Sequence, residues 1–345
     1  MGQIDLSDNV KFVVKENVLA IFSDKTFNTI SSAIYNGGSN QVKAVLNVGV
    51  PEGYSDLSLH LDPLELITSS AAKVGLTKDY LAMVTAAKIK NYSLISKKSE
   101  SFSVHVAATA GCSHGESSGE EMDVQEIAGT INIIVLIDGN PTESCMVAAL
   151  ITATEAKSAV LRDFDVRSRY TGDSATGSIT DSVTVASTSS GKTLSLGGPA
   201  SKLGKLVGYC TRQAVTQALL KQEPIWANRT VLDRLKERHL ELDKLATEVS
   251  KVEGLDIDTT ELAEILKNNP AAVGYLLAAT KMDDDYKKNL LPTDFADWNE
   301  ASKCFGASEI SKTDCSKNPN HSSVDLPPFI KQALIKILKN ARSKC

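Results

Sequence analysis

GTINIIVLIDGNPTESCMVAALITATEAKSAVLRD, residues 129–163, decides the architecture. Its first part, Thr130–Asp138, is apolar on both faces of an extended segment, the mark of a central strand. Its second part predicts a long helix opened by Pro141, with proline at a favoured first-turn position, and running to about Asp163. A buried strand handing over to a long helix, within a chain of mixed character, predicts an α+β fold. Its core would be a mixed β-sheet layered with helices.

Working outward, Val10–Val14 and Val18–Phe22 read as a hairpin turning at Lys15–Asn17. Gln41–Val48, Tyr92–Ser96 and Phe102–Thr109 read as further strands, and Pro63–Val74 as a short helix. Downstream, a strand over Thr180–Ala186 and a helix over about Ser201–Leu220 close the first domain, residues 1–227. Residues 228–345 read as a mostly helical C-terminal appendage. Helical spacing predicts one helix over Val231–Val252 and others over Thr260–Asn268, Ala271–Thr280 and Pro328–Ala341. Asp283–His321 is rich in turn formers and is read as loop. Charge density changes at the same boundary: residues 1–227 carry 42 charged side chains, whereas the 118 residues that follow carry 37.

The whole chain has 345 residues, 42% of them hydrophobic, and a formal charge of −5. That composition excludes disordered, collagen-like and coiled-coil classes and leaves room for a sizeable core. No basic stripe suits a phosphate backbone, so nucleic acid is not an expected partner. The longest strongly apolar run, from Ile131 to Ile137, falls far short of a membrane span, and the N-terminus does not read as a secretory signal. Six cysteines, at 112, 145, 210, 304, 315 and 345, include no C-x-x-C pair. A soluble, reduced, cytoplasmic protein is the expectation. The five histidines show neither H-x-H nor H-x-x-x-H spacing, so no metal site is expected. The sequence sets no oligomeric state.

Three places resist a purely structural reading. On the helix from Pro141, Glu143, Met146, Leu150, Thr154, Lys157 and Leu161 fall along one stripe at spacings of three and four. A lysine in an apolar stripe needs a counter-charge, a route to water, or a role in a site, because burying an unpaired ammonium is very costly. Glu155 points away from that stripe. In TDSVTVA, alternation puts Asp181 on the face of Val183 and Val185, either as a cap for a neighbouring loop or as a site acid. The preceding turn, Ala175–Ser178, is rich in donors and built for close approach. Finally, AATAGCSHGESSGEE, from Ala107 to Glu121, sets Cys112 and His114 beside acids, as a solvated loop, a thiol nucleophile or a metal site. One further stretch, Ala186–Thr193 (ASTSSGKT), matches a relaxed phosphate-loop pattern. The two glycines and the proline that follow it predict a hairpin connection instead of the helix such a loop requires.

Taken in order, these segments resemble the adenosylcobinamide amidohydrolase family. The matching stretches are NGG at Asn36–Gly38, VLNVGV from Val45, VTAA at Val84–Ala87 and TAG at Thr109–Gly111. The densest blocks are GTINIIVLID from Gly129 and ALITATEAKSAVLRD from Ala149. ATGSITDSV from Ala175 and SKLGKLVG from Ser201 complete a likeness over roughly residues 10–222. Two departures stand out. Cys112-Ser113-His114 follows TAG where the family carries an apolar residue and then a small polar segment with Asn, and Thr176–Asp181 is more loosely spaced. The resemblance implies hydrolysis of one amide, cleaving the aminopropanol side chain from adenosylcobinamide to release adenosylcobyric acid. The partner is then a small-molecule corrinoid. Its cobalt belongs to the substrate, and no protein cofactor is implied.

Amide hydrolysis needs a base for water, donors for the oxyanion and an acid for the leaving amine. The residues expected to serve are Asp181 or Glu155 as base and Lys157 as stabiliser of negative charge or proton donor. Thr130, Asn132, Thr154, Thr176, Gly177 and His114 would contact substrate. A corrinoid-binding protein without catalysis and a phosphate-loop enzyme using Lys192 are the competing expectations.

Overall fold

The computed structural model describes residues 2–51, 63–113, 115–120, 129–252, 255–290 and 326–342. His114, one of the expected substrate contacts, lies outside the described residues. The chain divides into two compact units, Met1–Asn228 and Arg229–Cys345.

The first unit begins with β1 (Gly2–Ser7), β2 (Val10–Lys15), β3 (Val18–Ser31) and β4 (Gly38–Gly49), then α1 (Leu64–Lys73) and β5 (Tyr80–Thr85). It continues through β6 (Ser93–Lys98), β7 (Ser103–Gly111), the two-residue β8 (Gly115–Glu116), β9 (Thr130–Asp138) and β10 (Asn140–Pro141). Helix α2 (Glu143–Asp163), β11 (Gly177–Ser178), β12 (Ser182–Ser187), β13 (Thr193–Leu194), α3 (Lys202–Gln222) and α4 (Ile225–Asn228) complete it. Nine strands form one curled sheet in the order β1-β2-β3-β12-β9-β7-β6, with β4 on the other edge of β3 and β5 beside β4. The β9–β12 and β4–β5 pairs are parallel and the others antiparallel, so the sheet is mixed.

β9 is central, as its composition requires. It lies between β12 and β7, and eight of its nine residues are buried. Alternation sends Ile131, Ile133, Val135 and Ile137 into a core shared with α2 and α3. Ile134 and Leu136 enter a second core on the opposite face, with Phe12, Leu19, Ile21 and Phe27. A third cluster packs α1, through Ile67 and Ala71, on the outer face of β4 and β5. Burial on both faces explains the near-continuous apolar run.

Several expected boundaries shift. Pro141 lies in β10, ahead of the helix, and Thr142 is the N-cap, its hydroxyl accepting from Cys145 N at 3.2 Å. The buried face of α2 runs through Cys145, Met146, Ala149, Ala153, Ala156, Lys157, Val160 and Leu161. Leu150 and Thr154 are therefore half-buried, and Glu143 is exposed on Ser39. Small side chains turned inward let α2 approach Gly197, where an added Cβ would lie 2.2 Å from Cys145 O. Among the described residues α2 alone is long and apolar enough to cross a membrane by composition, and half of its most apolar window is buried in this core. β5, not anticipated from the sequence, is a six-residue strand whose parallel pairing with β4 makes it a sheet edge. β12 starts at Ser182, leaving Thr180 in a turn. The phosphate-loop reading of Ala186–Thr193 fails on context. After β12 the chain turns through Ser189 and Gly191, both at positive φ, and enters β13, which pairs with β10.

The second unit is helical: α5 (Val231–Lys236), α6 (Leu242–Ser250), α7 (Thr259–Lys267), α8 (Pro270–Lys287) and α9 (Pro328–Arg342). The single helix expected over Val231–Val252 is split, because His239 takes a left-handed conformation, φ 60°. The reversal lets Leu235, Leu240 and Leu245 enter one core with Leu276, Ile330 and Leu334. α8 outruns its expected end and carries Asp283, whose buried carboxylate accepts from Phe329 N and Ile330 N, both at 2.9 Å, and so caps α9.

Candidate active site

Lys157 emerges from the buried face of α2 with a side chain only 8% exposed, and its ammonium meets Asp181 Oδ2 at 2.5 Å. Asp181 sits just before β12 and accepts from three further donors. Oδ1 takes Ile131 N at 3.0 Å and Ser178 Oγ at 2.5 Å, while Oδ2 also takes Ser178 N at 3.1 Å. Four donors on one carboxylate fill its acceptor capacity. Asp181 therefore clamps the turn before β12, the capping role the sequence allowed, and it also holds Lys157. Gly177 lies directly over the pair. A Cβ there would stand 2.6 Å from Asp181 Oδ2 and 3.0 Å from Lys157 Nζ, so only glycine admits this approach. β11 holds Gly177 in place by pairing with β8.

On the same short stretch of β9, Thr130 is fully buried and its hydroxyl meets that of Thr180 at 2.8 Å. Asn132, two residues along, lies on the same face of β9 as Ile134 and Leu136. Its amide nitrogen donates to Asn47 Oδ1 at 2.8 Å and to Val84 O at 2.9 Å. Asn47 in turn donates to Thr109 Oγ1 at 2.9 Å, which reaches Thr85 Oγ1 at 3.5 Å. All four of these side chains are buried, and Asn132 Oδ1 is left without a hydrogen-bond partner in the structure. A buried acceptor left open at this depth is uncommon.

The remaining expected residues form a third group, on the outer surface. Thr154, Glu155 and Thr176 line a shallow groove of about 550 Å³ with Ser158, Arg162 and Ala175. Glu155 is exposed there, whereas Lys157 and Asp181 are not among the groove's lining residues. Thr176 O accepts from Ser158 Oγ at 2.9 Å, and the Thr176 hydroxyl accepts from Ser118 N at 2.9 Å. A different cavity, of about 630 Å³, opens at the far end of β9 around His105 and Asp138 and contains none of the expected site residues.

Cys112 is buried between these groups. Burial pushes its thiol well above the usual range, and the Asp181 and Glu223 carboxylates push the same way, with Lys157 opposing in part. A thiol so held stays protonated and is a poor nucleophile. Among the described residues no group of three or more His, Cys, Asp or Glu is placed to hold a metal ion. The residues that sequence reasoning missed are Asn47, Thr85, Thr109, Ser178 and Ser158. All of them lie inside the family-like stretches, so that membership was the available signal.

Buried polar groups gather where β9 and β12 begin, on strands that lie within one family's reach. The model of the adenosylcobinamide amidohydrolase family matches residues 3–226, and the chain belongs to that family. Its members are hydrolases that act on an amide of a corrinoid. The chain is 29% identical over 217 residues to the adenosylcobinamide amidohydrolase of Methanosarcina mazei, covering 61% of this chain and 94% of that one. It is 28% identical over 209 residues to an uncharacterized protein of Methanocaldococcus jannaschii, covering 54% and 81%. A crystal structure from Pyrococcus horikoshii overlaps 62% of this chain and 83% of its own, at 11% identity and a TM-score of 0.34, a likeness on which nothing here rests.

Proposed function

We propose that this protein hydrolyses the amide that joins the aminopropanol arm to adenosylcobinamide. Water adds its hydroxyl to the carbonyl carbon, the carbon–nitrogen bond breaks, the amine leaves with a proton, and adenosylcobyric acid is released. The product would re-enter cobalamin synthesis, so the reaction salvages an incomplete corrinoid. Cobalt stays with the substrate throughout.

One observation carries this reading. Residues from six of the eight family-like stretches lie on or against the start of β9 and β12: Asn47, Thr85, Thr109 and Asn132 in one hydrogen-bonded chain, Lys157 and Asp181 in another with Gly177 over them, and Thr130 on Thr180. In the proposed mechanism Lys157 supplies the positive charge. An ammonium carries three donors, and Asp181 engages one, which leaves the others for the oxygen that becomes negative or for the departing amine. Asp181 serves as the counter-ion that positions Lys157, since its acceptors are filled, and Gly177 leaves the space beside the pair. Glu155, exposed in the groove with Thr154 and Thr176 and turned away from the pair, is assigned a contact at the substrate's rim. The groove suits the rim of a large, flat substrate better than a small ligand.

The test is direct. Purified protein incubated with adenosylcobinamide should release adenosylcobyric acid and aminopropanol, resolved by chromatography. Tight binding of the corrinoid with no cleavage over hours would make the protein a carrier and remove the proposal.

A further inference from the structure

Where α3 ends, Glu223 takes a non-helical conformation, and Pro224 prevents the helix from continuing. Its carboxylate turns back onto the segment after TAG. Cys112 N donates to both of its oxygens, at 3.2 and 3.1 Å, and Ser113 N donates to Oε1 at 3.1 Å. The Trp226 indole N–H donates to Oε2 at 2.5 Å. Three N–H groups from two separate segments thus converge on one anionic group. The C-terminal end of a helix is the less favourable end for a carboxylate, so these donors, and not the helix, hold it there. The donor set follows directly on Gly111, which pairs with Thr130 across the sheet, and the next residue on that strand, Ile131, donates its N–H to Asp181.

We propose that the Cys112 and Ser113 N–H groups, with the Trp226 indole, form a carboxylate-binding hole that Glu223 fills until a substrate-derived carboxylate replaces it. The inference rests on the amidohydrolase reading for its ligand. The group that needs such a hole is the carboxylate created when the amide is cut, together with the oxyanion that precedes it. Backbone N–H pairs are the usual means of holding such charge, because they are fixed before the reaction begins. An internal carboxylate in the same seat satisfies the donors when no ligand is present, so the hole is not left desolvated and empty. It also weakens binding of any external carboxylate, by the fraction of time the seat is occupied.

The experiment reads binding without requiring turnover. The chain has two tryptophans, Trp226 and Trp298. In a Trp298→Phe background, Trp226 emission is followed as acetate is added, against chloride at equal ionic strength, in the wild-type seat and in Glu223→Ala. Glu223→Gln serves as the gentler second variant, keeping size and one acceptor for the indole. Expected is a saturable acetate response in the Glu223 variants, at least about tenfold tighter than in the wild-type seat. A folded variant without a saturable response, or an equal response to chloride, overturns the hole. Failure of both variants to fold makes Glu223 a structural clamp and overturns it equally. A parallel assay with adenosylcobinamide separates the two readings. Acetate binding without any cleavage retains the hole and removes the amidohydrolase, whereas cleavage without acetate binding does the reverse.

Discussion

Replacing Lys157 with methionine keeps the length and helix propensity of the side chain and deletes only its charge. Breaking a buried ion pair by removing one partner costs about 3–5 kcal/mol when the survivor is left uncompensated. Here the survivor is compensated: Asp181 keeps Ile131 N, Ser178 N and Ser178 Oγ. The expected loss is therefore smaller, about 2–3 kcal/mol, which for a unit of this size lowers the melting temperature by roughly 4–12 °C. Asp181→Asn should be worse. Its amide cannot accept from Lys157, Ser178 N, Ser178 Oγ and Ile131 N together, and its own N–H groups would face donors. Turnover should fall much further than stability in Lys157→Met, by about 10²–10³, if the ammonium faces the developing charge. Adenosylcobyric acid release and a thermal melt on the same preparation separate the two effects. Near wild-type turnover in a folded Lys157→Met protein would refute a catalytic role for this residue, and a melting temperature unchanged as well would refute the energetic reading of the pair.

Gly177→Ala places a Cβ at 2.6 Å from Asp181 Oδ2, so the turn or the pair must shift. The cost should be about 1–3 kcal/mol by calorimetry, with a loss of turnover larger than that cost predicts. A chain ending at Asn228 should retain turnover within severalfold in the cobyric acid assay, because every residue of the proposed site precedes that point. Asp283 sets a pH dependence in the second unit. Burial pushes its carboxyl up to about 6, with the Phe329 and Ile330 N–H groups opposing in part. A carboxyl that binds its proton more tightly when folded contributes stability that is full below its unfolded value near 3.8 and is lost as pH rises through about 6. That gap corresponds to at most roughly 3 kcal/mol. Calorimetry of the full chain between pH 4 and 7 should therefore show wild type losing stability relative to Asp283→Asn as pH rises, and parallel curves for the two would contradict the assignment.

How much of this was legible beforehand depends on how local each cause is. The both-face burial of Thr130–Asp138 and the alternation that puts Val183 and Val185 toward the helices follow from periods of two residues. The stripe that buries Lys157 follows from a period of 3.6. All are properties of neighbours in the chain. The split at His239 was not legible, because the apolar spacing of Val231–Val252 suits one helix as well as two, and only the shared core of Leu235, Leu240 and Leu245 selects the reversal. The inward face of α2 was shifted for a related reason: close approach to Gly197 favours small residues that carry little hydrophobic signal of their own.

The site divides along the same line. Sequence reading singled out Lys157 as a charge needing a partner, Asp181 as an acid on an apolar face and Asn132 as a residue to contact substrate. It could not pair them. Lys157 meets Asp181 across 24 residues, Asn132 meets Asn47 across 85, and Cys112 meets Glu223 across 111. Those meetings depend on how far the sheet curls and on where α2 and α3 lie against it. The packing of dozens of side chains sets that geometry at once, so no local pattern of residues encodes it.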